Sequence, residues 1–213
     1  MIKNLMPSLN SLVDKDYLFL KTEETENLIA SMLQPLYPED NPTILQISGI
    51  PGSGKSTYCK THPLDNFLYL SFDKIMILLK GYQDAIKLYG SVEAFNRYEM
   101  VARVIGYELL NRAISMRLNI MFEHSGTNSA HIELFKNITK LGYKTAVNFI
   151  MCDKELAIQR AEDRAKETKR YVPKSLIEER ASKFDFYIKE YQKIVAEIKI
   201  LDGANNFSLL KKI

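Results

Sequence analysis

Eight consecutive residues, Gly49-Ile50-Pro51-Gly52-Ser53-Gly54-Lys55-Ser56, satisfy the pattern G-x-x-x-x-G-K-[ST] at every position and directly follow the apolar run Ile44–Ser48. A loop that wraps phosphates must turn successive N–H groups inward, and the glycines allow the backbone angles this needs. Lys55 is placed to reach the β and γ phosphates, and Ser56 to put its hydroxyl on Mg²⁺. Thr57 continues into a helix whose N-terminus, starting near Lys55, faces the anion with unpaired N–H groups. The chemistry predicted is binding of a nucleoside triphosphate, with Gly49, Pro51, Gly52, Ser53, Gly54, Lys55, Ser56 and Thr57 as the contact residues.

Two acids follow short apolar runs and so fall where strand ends line a ligand crevice. Asp73 closes Leu70-Ser71-Phe72-Asp73, where a carboxylate can take the proton of an acceptor hydroxyl, help hold the waters of Mg²⁺, or cap a helix over 74–80. Glu123 closes Ile120-Met121-Phe122-Glu123, as a contact of the metal shell, a partner of a substrate hydroxyl, or an acid satisfied by backbone. Ser125 and Thr127 follow it, either to hold an acceptor or to shape the turn, and His124 between them reads as a packed histidine. Further on, Arg160 and Arg164 share a helix face and Arg170 lies in a polar stretch before Pro173. Together they form either a lid that stabilises a transferring phosphoryl group or a solvated, ion-paired surface.

These residues need a scaffold. Strand-like runs at Thr43–Ser48, Phe67–Phe72, Leu118–Phe122, Thr145–Met151 and Ile198–Leu201 alternate with helical patterns. The clearest pattern spans about Glu93–Arg117, and others follow Asn128, Asp153 and Pro173. The alternation predicts a three-layer α/β/α fold with a parallel sheet of about five strands over residues 43–213, with an arginine-bearing lid near 160–173. Residues 1–42 read as a helical extension, with a helix near Glu23–Leu36 and a Pro-bracketed connector at 38–42. One domain suits 213 residues. In the last long helix Ile177, Ala181, Phe184, Ile188, Tyr191 and Val195 form a stripe that either packs on the sheet or seeks a partner.

Composition narrows the classes. The net charge of +3 is too small for non-specific binding along a nucleic-acid backbone, so long nucleic acid is argued against. Cys59 and Cys152 are far apart, without metal-ligand spacing, and no run is long and apolar enough for a membrane span, so a cytoplasmic setting is expected.

The P-loop, an aspartate closing the second strand, a Phe-Glu-x-x-Gly-Thr element closing the third and an Arg-Tyr-Val-Pro stretch after an arginine-bearing helix together resemble the zeta-toxin family, over about 44–193. The resemblance implies a small kinase with an adenylate-kinase-like core that uses ATP or GTP and Mg²⁺. It implies a small-molecule acceptor of the type of UDP-N-acetylglucosamine, and an antitoxin protein as a partner. It further implies Lys55 and Ser56 at the nucleotide and metal, Asp73 as general base, and Glu123 and Thr127 on the substrate side. Arg170 then stands near the transferring phosphate, with Arg160 or Arg164 as its companion. One departure is that Asp73 is followed by Lys74-Ile75-Met76 where family members commonly carry Asp-x-x-Arg, so the basic contact moves to Lys74 or is lost. Another small-molecule or nucleotide kinase of this core, and a nucleotide-binding interaction protein, are the competing readings.

Overall fold

The computed structural model describes residues 2–13, 15–168 and 171–213. Four short helical turns and helices open the chain: α1 (Ile2–Leu5), a 3₁₀ turn at Pro7–Leu9, α2 (Asn10–Val13) and a second 3₁₀ turn at Leu18–Lys21. They lead into α3 (Glu23–Leu33), where the Thr22 side chain accepts from the Thr25 N–H as an N-cap. There follow β1 (Thr43–Ser48), α4 (Lys55–Thr61), β2 (Phe67–Ser71), α5 (Phe72–Leu78), α6 (Lys80–Ser115), β3 (Asn119–Glu123) and α7 (Ser129–Ile138). The chain closes with β4 (Lys144–Met151), α8 (Lys154–Thr168), α9 (Lys174–Gln192), β5 (Glu197–Asp202) and β6 (Ser208–Lys212).

All the strands join one sheet in the order β2-β3-β1-β4-β5-β6. The five predicted strands are present and mutually parallel, and β6 adds an antiparallel edge paired with β5. That sixth strand was not expected, because Ser-Leu-Leu-Lys-Lys has no alternation and every one of its residues is exposed. β1 is central: β2 and β3 lie on one side of it, and after β3 the chain crosses to β4 on the other. The crevice at the carboxyl ends of the strands therefore opens beside β1.

Alternate side chains of the strands enter two separate cores. Ile47, Met121, Ile150 and Leu201 meet Cys59 of α4 on one face. On the other, Ile44, Leu68, Leu70, Ile120, Phe122 and Phe149 join the larger core built from α6, α7 and α9. The stripe on α9 belongs to that core: Ile177, Phe184, Ile188 and Tyr191 are buried, and the Tyr191 hydroxyl bonds the buried Gln46 amide at 3.1 Å. A packing role for the stripe explains its spacing without a partner.

The N-terminal helices dock on the same layer. Ile2, Leu5, Met6, Ile29 and Leu33 enter the core, and Arg112 of α6 forks onto Glu26 of α3 with two bonds of 2.7 Å. The long helix α6 begins well before the expected Glu93 and breaks at Gly90, whose φ of 82° is open to glycine and strained for other residues. Pro173 sits at the N-cap of α9. Among the described residues, no helix is long and apolar enough to cross a membrane.

Candidate active site

Strand β1 ends at Ser48 and the chain turns back into α4 through Gly49–Gly54. Two glycines of that turn have positive φ, Gly52 at 87° and Gly54 at 101°. A Cβ on Gly52 would lie 2.0 Å from the Ala157 carbonyl oxygen, so the loop rests directly on the first turn of α8. Lys55 folds across the loop, and its Nζ donates to the carbonyls of Gly49 at 2.8 Å and Ile50 at 2.9 Å. Gly49 and Ser53 are buried in the inner wall, whereas Pro51, Gly52, Gly54, Lys55, Ser56 and Thr57 face a cleft of about 590 Å³.

Asp73 and Glu123 line the same cleft. Asp73 is not the last residue of β2; it stands in the first turn of α5, one step inside the helix, whose N-cap residue is Ser71. A carboxylate in a first turn is favoured by the positive end of the helix. Glu123 ends β3 and is buried, and both of its oxygens are engaged. Ser56 Oγ donates to Oε1 at 2.6 Å, and the Tyr69 hydroxyl donates to Oε2. A hydroxyl and a carboxylate oxygen this close are hard donors that suit Mg²⁺, an ion that takes most of its ligands from phosphate and water.

The facing wall is cationic. Arg160 and Arg164 of α8 both reach the cleft, with Arg160 Nη1 donating to the Gly203 carbonyl at 2.9 Å. Burial lowers the pKa of Arg164, and the charge of Glu123 opposes the effect. The third predicted arginine, Arg170, lies outside the described residues.

Two arginines that carry no sequence motif complete this wall. Arg103 of α6 pairs with Glu99 at 2.5 Å, and Arg180 of α9 reaches the loop after β3. The spacing of Glu99 and Arg103 marks them as a helical ion pair, though nothing in it tells a cleft from open solvent. Arg180 stands next to Ala181 of the α9 stripe, and no local pattern singles it out.

The loop after β3 divides its predicted roles. Ser125 lines the cleft, while Thr127 is buried behind it and accepts from Arg180 at 3.0 Å. His124 also touches the cleft but is packed against Phe72, Phe122 and His131, the last with ring centroids 4.1 Å apart. Burial first, and then His131 and neighbouring cations, push the His124 pKa well down. Its Nδ1 accepts from the Gly126 N–H at 3.1 Å, as a neutral ring can. Lys74 does not line this cleft; its ammonium stands 4.9 Å from the centroid of the Tyr69 ring.

Residues 27–212 match the family model described as zeta toxin. The chain belongs to the zeta-toxin family. It is a nucleotide-dependent phosphotransferase with a P-loop kinase fold. Among solved structures it is similar to one from the characterisation of the PezAT chromosomal toxin-antitoxin system of Streptococcus pneumoniae. That pair has a TM-score of 0.71 at 15% identity, over 92% of this chain and 81% of that one. It is also similar to AvrRxo1-ORF1:AvrRxo1-ORF2 with sulphate ions, with a TM-score of 0.61 at 12% identity, over 98% of this chain and 65% of that one. The AvrRxo1-ORF1:-ORF2 structure with ATP gives 0.59 at 11%, over 98% and 64%. No curated protein gives a significant match.

Proposed function

We propose that this zeta-toxin family kinase transfers the γ-phosphate of ATP or GTP to a hydroxyl of a small molecule of the class of UDP-N-acetylglucosamine. One observation carries the reading: the phosphate loop with Lys55, the acids Asp73 and Glu123, and arginines from three helices share a single cleft. A donor site alone needs the lysine and the loop. The second acid and the far arginines extend the cleft toward a second substrate.

In this reading Lys55 and the loop N–H groups hold the β and γ phosphates, and Thr57 and Arg160 border the rest of the nucleotide. Asp73 takes the proton from the acceptor hydroxyl as it attacks phosphorus. Arg164, with Arg170, offsets charge on the equatorial oxygens. Glu123 and Ser125 contact the acceptor, and Thr127 acts on it through Arg180. Ser56, with Glu123 behind it, would hold Mg²⁺, which would supply positive charge against the phosphates. The toxin-antitoxin system named for the PezAT structure supports an inhibitory antitoxin as a protein partner here too.

The test combines the purified protein with γ-labelled ATP and either UDP-N-acetylglucosamine or a metabolite extract. A labelled acceptor is expected, and Asp73→Asn should keep nucleotide binding while transfer falls by about 10²–10⁴-fold. ATP loss with no labelled acceptor would favour a nucleotide-driven interaction protein instead.

A further inference from the structure

Tyr69 has no place in the reading above, yet it touches the centre of the site. It lies on β2 with its side chain on the α4 face of the sheet, packed against the smaller core, and its hydroxyl donates to Glu123 Oε2. The other Glu123 oxygen accepts from Ser56 at 2.6 Å. A serine hydroxyl has one proton and two lone pairs. With the proton fixed on Glu123, only lone pairs remain for a ligand in the cleft. Which way that hydroxyl points therefore depends on the rotation of the Glu123 carboxylate, and Tyr69 holds that rotation from the neighbouring strand.

We infer that Tyr69 is a positioning residue for the metal-nucleotide site: it locks Glu123 in the orientation that takes the Ser56 proton and so keeps Ser56 aimed as a metal ligand. The inference rests on the kinase reading of this cleft. Groups behind metal ligands typically change metal affinity by about 10–100-fold when removed. The cation over the ring, Lys74, ties Tyr69 to the helix that carries Asp73, so strand β2 braces both acids of the site.

Tyr69→Phe removes only the hydroxyl and keeps the packed ring. Mn²⁺ serves as the probe, with free ion counted by electron paramagnetic resonance in the presence of a non-hydrolysable ATP analogue. The variant is expected to bind Mn²⁺ about tenfold more weakly, while the analogue binds within about twofold of parental affinity when metal is chelated. Unchanged Mn²⁺ affinity would overturn the inference, as would an equal loss of metal-free nucleotide binding, which marks general distortion. Glu123→Ala, which leaves Tyr69 no acceptor there, supplies an independent check: adding Tyr69→Phe to it should cause no further loss of Mn²⁺ affinity, and a full additional tenfold loss would overturn the route through Glu123. Failure of the parental protein to bind the analogue at all would instead overturn the kinase reading itself.

Discussion

Arg180 Nη1 lies 3.0 Å from the Thr127 hydroxyl and 3.2 Å from the Thr127 carbonyl, which fastens the last long helix to the loop after β3. The same nitrogen is 3.4 Å from Ser125 Oγ, on the cleft side of that loop. Burial, and then Arg103, lower the pKa of Arg180, so its charge is held in place by these hydroxyls with Glu179 and Glu99 nearby.

Arg180→Met should therefore act on both fold and function. Loss of hydrogen bonds from a charged donor is expected to cost about 1.5–3 kcal/mol, at the low end because the group is only partly buried. Urea denaturation measures that cost. Phosphoryl transfer should fall more than nucleotide binding does, since the loop that moves is on the acceptor side. Parental transfer by the variant would remove Arg180 from the site.

Lys55 spans the phosphate loop, from the start of α4 back to the loop's first two residues, through two carbonyl bonds. Lys55→Met should leave the fold intact, because the side chain lies at the cleft and belongs to neither core. Transfer of label from γ-labelled ATP is expected to fall by about 10²–10³-fold. A variant that transfers phosphate at the parental rate would remove Lys55 from the reaction.

Much of this arrangement is legible in the chain because its signals are local. Gly49–Ser56 specifies a strand, a turn and a helix start within a few residues, and the strand runs before Asp73 and Glu123 show that both acids reach one rim. What the sequence conceals is set by tertiary placement. Phe72 completes an apolar run, yet it begins α5 because its ring packs on Tyr107 and Phe122, which moves Asp73 from a strand end into a helix. Tyr69 and Arg180 are ordinary residues of a strand and a helix. Only the sheet register that sets Ser71 beside Glu123, and the fold of α9 over the loop, give them partners in the site.

The paired histidines make stability depend on pH. Burial, and then Arg103 and Arg180, lower the His131 pKa to about 3, and that of His124 is also well below its ordinary value. The unfolded chain binds these protons near the ordinary value of about 6.5, and the folded chain does not. Stability is thus fully present above about pH 6.5 and is lost as pH falls toward the folded values, by up to about 1.4 kcal/mol per pH unit for each histidine. Urea midpoints taken from pH 7.5 down to 4.5 should fall, and His124→Phe with His131→Gln should flatten the slope. A midpoint that does not change over this range would contradict the burial of the pair as neutral rings.

Gly52 and Gly90 separate backbone strain from steric exclusion. Both have positive φ, 87° and 82°, and Gly90, with ψ of 170°, lies where essentially only glycine goes, so an L side chain costs about 1–3 kcal/mol from local geometry alone. Around Gly90 nothing lies within 4 Å of an added Cβ, so Gly90→Ala should lose only that amount and keep full activity. At Gly52 the added atom meets the Ala157 carbonyl at 2.0 Å, so the phosphate loop and the first turn of α8 must move apart. Gly52→Ala is expected to lose more stability than Gly90→Ala, by about 1–3 kcal/mol, and to weaken nucleotide binding as well. Equal losses in thermal and urea unfolding would mean that the loop does not rest on α8, and Arg160 and Arg164, carried by that helix, would then lack a fixed position over the phosphates.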